Sequence, residues 1–148
     1  MSQRPIPQKR ADFPHFCPIT TRWMDNDIYR HVNNVAYYSF FDTAVNDYLI
    51  QTGVLDIHRS TVTGLVAHSE CDYFTPIAFP EAIEVGLRVT RLGRSSVTYA
   101  LGVFRKNTDA AVAQGRFVHV YVDRESVRPV SIPDDMRTAL SRLVMPGD

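Results

Sequence analysis

The segment Asn34 to Gln51, NVAYYSFFDTAVNDYLIQ, contains neither glycine nor proline and is apolar around most of a helical wheel. Val35, Tyr38, Phe41, Val45, Tyr48 and Leu49 follow the i, i+3, i+4, i+7 rows, while Tyr37, Phe40, Ala44 and Ile50 add apolar surface elsewhere. A helix of this kind must be surrounded by protein. Starting at Asn33 or Asn34 and stopping before Gly53, it would run nearly 30 Å at ~1.5 Å per residue, the width of a small domain.

The residues after it supply the cover. "AIEVGLRV" places Ile83, Val85, Leu87 and Val89 on one face, opposite Glu84, Arg88 and Thr90. "SSVTYALGVF" repeats the pattern with Val97, Tyr99, Leu101 and Val103, and "GRFVHVYV" continues it from Phe117 or Val118 onward. The connections "LGRS" (92–95) and "KNTDA" (106–110) suit hairpins. A further strand is expected in "GLVAHSECDYFT", ended by Pro76, and a short one in "FCPITTRWM", which Pro18 confines to an edge or to its own beginning. "SIPDDMRTALSRLV" reads as a short terminal helix, with Pro133 near its start and Asp134 and Asp135 in its first turn.

One long helix with antiparallel strands covered on one face defines an α+β fold, in which a curved sheet of about five strands wraps a central helix. Such a sheet leaves open edges and a partly bare helix, so a homodimer or homotetramer is expected. The 148 residues fit a single domain over 1–148, with the proline-broken residues 1–14 as a loose lead-in.

Sixteen basic and sixteen acidic residues cancel, which leaves no global field to draw nucleic acid or an anionic membrane. The polar N-terminus lacks the apolar core of a secretory signal and no eighteen apolar residues run together, so the expected location is the cytosol. Cys17 and Cys71 have neither CxxC nor Cys/His metal spacing and are expected as reduced thiols. No metal site is expected, since a calcium loop would need an acceptor and a glycine where Tyr29 and Arg30 stand. There is no Walker A, GxGxxG, HExxH or GxSxG.

The polar stretch "RWMDNDIYRHVNN" immediately precedes the apolar helix. Asn33, Asn34 and Val35 bring unpaired backbone N–H groups to the first turn, where the macrodipole also favours negative charge, and Asp27 lies just ahead of them. That arrangement suits a reaction that develops an oxyanion near a carboxylate. An acid in this position can equally cap the helix. Asp25 reads as a turn-shaping residue and Asn33 as the N-cap. His31 is either a general acid or substrate donor, or a turn residue bonded to backbone.

"DNDIYRHVNNVAYYSFFDTA", together with "DYFTPIAFPEAIEVGLRVTRLGRSSVTY" and "AQGRFVHVYVDRESVRPVSIP", resembles the hotdog-fold acyl thioesterases of the 4-hydroxybenzoyl-CoA thioesterase type, over roughly residues 16–135. The resemblance implies a hotdog fold and hydrolysis of an acyl- or aroyl-CoA to free acid and CoA, with no cofactor beyond the CoA of the substrate. It places the catalytic carboxylate on Asp27 and the helix-terminal N–H that polarises the thioester on Asn34. Asp27 would act as nucleophile, through a mixed anhydride, or as base on a water. His31 is carried as a further catalytic candidate, Tyr37, Tyr38, Phe41 and Tyr73 as the acyl lining, and Arg91, Arg94 and Ser95 around "RLGRSS" as CoA contacts. Acyl-carrier-protein thioesterases of this fold read D-x-N-x-H-V-N-N, and here Tyr29 stands at the asparagine position. Hotdog hydratases read D-x-N-P-x-H, which this chain also lacks. A non-catalytic acyl-CoA binding module or assembly subunit, and a thioesterase acting on acyl-carrier protein, against which Tyr29 argues, are the alternatives on the same fold.

Overall fold

The expected helix runs Asn34–Gln51 (α1) in the computed structural model, which describes residues 4–145. Among these residues, β1 (His15–Thr20), β2 (Val62–Tyr73), β3 (Ala82–Leu92), β4 (Ser96–Arg105) and β5 (Ala113–Asp123) form one antiparallel sheet in the order β1-β3-β4-β5-β2, and α2 (Asp134–Ser141) follows. Pro18 indeed lies on an edge strand, and the two short connections close the β3–β4 and β4–β5 hairpins. Gly53, at φ 77°, stands just past the end of α1, in the left-handed conformation that a helix stop requires.

Tyr37, Phe40, Phe41, Ala44, Val45, Tyr48 and Leu49 of α1 are buried in one core with the inward rows Val85, Leu87, Val89 and Val97, Tyr99, Leu101, Val103. Val35, expected in the buried row, is exposed instead. It shares the i+4, i+7, i+11 row of Ser39, Asp42 and Asn46, and that row faces solvent. In β5 the pleat turns Phe117 inward, and with it His119 and Tyr121, all three buried.

The sheet is covered on both faces, not on one. Outside β3 and β4, Phe13, Ala100, Phe104 and Ala111 form a second cluster with Phe16 packed against it. Phe13 seats where a side chain at Gly86 would stand, 2.7 Å from the position of a Cβ there, and its ring meets Phe104 edge-on at 5.8 Å. Arg88, expected on an open outer face, is buried, with its guanidinium 5.6 Å from the Phe13 ring. The lead-in is therefore fastened rather than loose from Gln8 onward. Gln8 N–H donates to Gln114 Oε1 at 2.8 Å and Ala111 N–H to the Gln8 carbonyl at 2.9 Å. Arg10 pairs with Glu84 at 2.9 Å while its guanidinium lies over the Phe104 ring. The cause is that Phe13 and Phe16 have apolar area to bury and the small residues of β3 and β4 leave room for it. The first three residues of the lead-in lie outside the described range.

Candidate active site

The loop between β1 and α1 is built around two carboxylates with different work. Asp25, 3% exposed, takes the Arg22 N–H and Nε on its two oxygens at 2.8 and 3.2 Å and the Arg22 Nη2 at 2.9 Å, and its carbonyl accepts the Asn33 N–H at 2.8 Å. Every strong acceptor position of Asp25 is thus spent on holding the turn. Asp27 sits in a tight reversal closed by Asp27 N–H to the His31 carbonyl and Arg30 N–H to the Asp27 carbonyl, both 3.0 Å, with Arg30 at φ 70°. One Asp27 oxygen accepts the Tyr29 N–H at 2.8 Å, an Asx turn, and the other faces Asn33 Nδ2 at 3.4 Å. The carboxylate stays half-buried and oriented, with acceptor capacity left over.

Asn33 joins this carboxylate to the helix. Its amide nitrogen faces Asp27 while its Oδ1 accepts the Val35 N–H at 2.9 Å, as an N-cap does. Of the three N–H groups expected to be free, that of Asn33 goes to Asp25 and that of Val35 to the Asn33 side chain. The Asn34 N–H has no acceptor among the described residues. A single uncapped donor at the head of a mostly buried helix is the place where a developing negative charge is best received. Asn33→Ala is expected to cost about 1 kcal/mol of stability and to lower kcat some ten- to a hundredfold with little change in KM, because Asp27 loses its orienting partner. Thermal denaturation and steady-state kinetics on a common substrate check both parts, and unchanged kcat would remove Asn33 from the positioning role.

Beside Asn34 opens a cleft of about 260 Å³ lined by Val32, Asn34, Tyr37, Tyr73, Phe74 and Pro76. Tyr73 donates its hydroxyl to the Asn34 carbonyl at 3.2 Å and meets the Tyr37 ring edge-on at 5.0 Å, so the end of β2 is tied to the start of α1. Tyr38, half-buried, stacks on Phe117 at 6.0 Å. Phe41 is fully buried and packs against Phe117 and Gly115 as core. The His31 ring is exposed and makes no hydrogen bond among the described residues, while its carbonyl closes the Asp27 turn.

Arg91, Arg94 and Ser95 lie at the other end of the sheet. Tyr73 pairs with Ala113, whereas Ser96 pairs with Val120 seven residues further along β5, roughly 23 Å away. Arg94 Nε donates to Ser131 Oγ at 3.0 Å, and the Ser95 carbonyl accepts the Tyr121 N–H. One chain does not bring this turn to Asn34.

Other nucleophiles near the cleft are silent at neutral pH. Burial pushes the Cys71 thiol up to about 11 and the Tyr37 phenol up to about 12. Among the described residues no three His, Cys, Asp or Glu side chains converge as a metal site, and no helix is long and apolar enough to cross a membrane.

His119 escaped the sequence reading because the register of β5 was open between Phe117 and Val118. The parity of Phe117 would have found it. Burial lowers its pKa from the usual 6.5 to about 4, so the imidazole is neutral in the folded chain. Above pH 6.5 folded and unfolded chains both hold it neutral. As pH falls from 6.5 towards 4 the unfolded chain takes the proton first, and stability is expected to drop by about 1.4 kcal/mol per pH unit from this group. Below about 4 the folded histidine titrates too and the loss levels off. The difference between wild type and His119→Phe in denaturant unfolding across pH 4–7 isolates the slope, and parallel curves would contradict it.

Residues 21–140 match the thioesterase-like superfamily. The chain is similar to the PA5185 protein of Pseudomonas aeruginosa, with 58% identity, 96% of this chain and 99% of the other covered, and a TM-score of 0.94. A structure described as a "predicted thioesterase" from Bacillus stearothermophilus shares 25% identity over 90% of this chain and 98% of its own, with a TM-score of 0.76. Slr0204 of Synechocystis, a 1,4-dihydroxy-2-naphthoyl-CoA thioesterase, shares the fold at 16% identity, with 88% and 98% covered and a TM-score of 0.78.

Proposed function

Because the chain belongs to the thioesterase-like superfamily, we propose that it hydrolyses an acyl- or aroyl-CoA with Asp27 as the reacting carboxylate and the Asn34 N–H as oxyanion donor. The observation that carries this reading is the one uncapped N–H at the head of α1, joined through Asn33 to an oriented carboxylate. The thioester carbonyl oxygen accepts the Asn34 N–H, and negative charge that grows on it in the transition state meets the positive end of the helix. In one route Asp27 attacks the carbonyl carbon, the C–S bond breaks and the thiolate leaves with a proton from solvent. Water then opens the mixed anhydride to the free acid and restores Asp27. In the other route Asp27 takes a proton from the water that attacks, and returns it to the departing sulfur. This is the use of a carboxylate that the resemblance to the 4-hydroxybenzoyl-CoA thioesterase type implies.

The working unit in this reading is a pair of chains. β2 is an edge strand with Leu65, Val66 and Tyr73 exposed at 44, 50 and 41%, which suits pairing with a second copy. Antiparallel pairing of two β2 strands sets the Val62 end of one beside the Tyr73 end of the other. The partner's "RLGRSS" turn then approaches this chain's Asn34, where Arg91 and Arg94 are placed to meet CoA phosphates and Ser95 to donate to the same tail. Thiol release from a panel of aliphatic and aromatic acyl-CoA esters tests the activity. Release well above background by wild type supports it, and binding of the esters with no thiol released would assign the chain to the non-catalytic class instead.

A further inference from the structure

We propose that the acyl group this site takes carries a neutral hydroxyl on its distal part, received in a second cavity between α1 and β5 by His119 and Tyr121. The inference rests on the thioesterase reading above, since it assigns the tail of the same substrate. The cavity has a volume of about 350 Å³ and opens to solvent along the Asp42 and Asn46 row of α1, with Leu49, Leu55 and residues 63–66 of β2 as walls and the buried His119 and Tyr121 of β5 also lining it. A cavity meant for a plain alkyl chain would be apolar throughout. Here His119 and Tyr121 are 5% and 2% exposed; His119 Nε2 is buried without a hydrogen-bond partner among the described residues, and the Tyr121 hydroxyl, which lies beside that of Tyr99, keeps further hydrogen-bonding capacity for a guest.

Buried polar atoms of this kind cost free energy in the empty protein, and a native chain keeps them where something else completes them. Their chemistry selects the completing group. Nε2 of the neutral imidazole offers a donor or an acceptor according to its tautomer, and the phenol can act as either. Asp42 at the side of the cavity disfavours a second carboxylate on the tail. A hydroxyl, which donates once and accepts twice, satisfies the set.

The cavity also lies where a tail would run. Asn34, Tyr38, Asp42 and Asn46 succeed one another at four-residue intervals, so they form one row along α1. From the Asn34 N–H to Asp42 and Asn46 the helix rises roughly 12 to 18 Å, the reach of a medium-length acyl chain laid along it over Tyr38.

The test compares three CoA esters of one medium chain length, unsubstituted, hydroxylated at carbon 3, and hydroxylated at the chain end. Turnover is followed by thiol release, and affinity by calorimetry on Asp27→Asn, which holds the esters unreacted. The expected result is at least about a tenfold preference in kcat/KM and affinity for the terminally hydroxylated ester over both others. Tyr121→Phe and His119→Phe should each reduce that ratio severalfold. Tyr121→Phe keeps the ring and removes a hydroxyl that neighbours Tyr99, so the protein should remain folded with Tm lowered by at most a few degrees. Equal affinity and turnover for the three esters, or a ratio unmoved by both variants, would overturn the hydroxyl assignment and leave the thioesterase reading standing. Absence of thiol release from every ester would overturn the thioesterase reading, and the affinities on Asp27→Asn would still decide the tail.

Discussion

Asp27→Asn is expected to lower kcat/KM for any acyl-CoA substrate by about a thousandfold, within the range that loss of a reacting carboxylate or general base produces. The substitution keeps the shape of the side chain. The amide oxygen can still accept the Tyr29 N–H, so the turn that reverses the chain at Arg30 persists. What disappears is the charge, and with it both the nucleophile and the base. Among the described residues the other side-chain interaction at risk is the contact to Asn33 Nδ2, worth about 1 kcal/mol. Asp27→Asn should therefore unfold within a few degrees of wild type while thiol release nearly stops. Asp27→Glu retains the charge but carries it one methylene away from the Asn34 N–H, and should fall between the two. If Asp27→Asn turned over at near-normal rate, the carboxylate would be a loop residue and the reaction would have to be sought elsewhere.

The second large effect concerns packing. Gly115→Ala is expected to destabilise the protein by about 3 kcal/mol, at the upper end for overfilling a core, and to lower Tm by roughly 10 °C. A Cβ at this position would stand 2.5 Å from Cε2 of Phe41 and 2.7 Å from the carbonyl oxygen of Glu70. The ring has no room to yield, because Phe41 is fully buried and is held by edge-on contact with Phe117 at 5.6 Å and Tyr38 at 6.1 Å. The Glu70 carbonyl belongs to β2 in ladder register with β5, so it cannot retreat without parting the strands. Phe41→Leu in the Gly115→Ala background should recover part of the loss, since the two substitutions share one volume. A cost below about 1 kcal/mol would show that α1 rides on the sheet more loosely than these contacts imply.

These two positions illustrate what could be read before the fold was known. The helix was legible because Asn34–Gln51 excludes breakers and repeats apolar residues at helical spacing, and the inward rows of β3 and β4 because alternation is strict. Asp27, Asn33 and Asn34 stood out because polar residues crowd the start of an apolar helix. Gly115 could not be recognised as a notch for Phe41, since their contact joins residues 74 positions apart with no local pattern. The outer cover by Phe13 was hidden for a related reason. Its partners are the glycines and alanine of β3 and β4, and an absent side chain leaves no periodic mark. His119 was obscured by a different ambiguity, because "FVHVYV" alternates acceptably in either register and one residue of slip exchanges the faces.

The fastening of the lead-in has a consequence in time. Gln8 bonds to Gln114, 106 residues later, and Arg10 reaches the carbonyls of Arg105 and Thr108. On a ribosome that delivers a few to twenty residues each second, the N-terminal segment waits roughly 5 to 20 s for its partners to be made. During that interval Phe13 and Phe16 have emerged and have nothing to cover. The outer surface of β3 and β4 thus closes late, and the segment from Gln8 to Phe16, made well before its partners, is among the last to find its place.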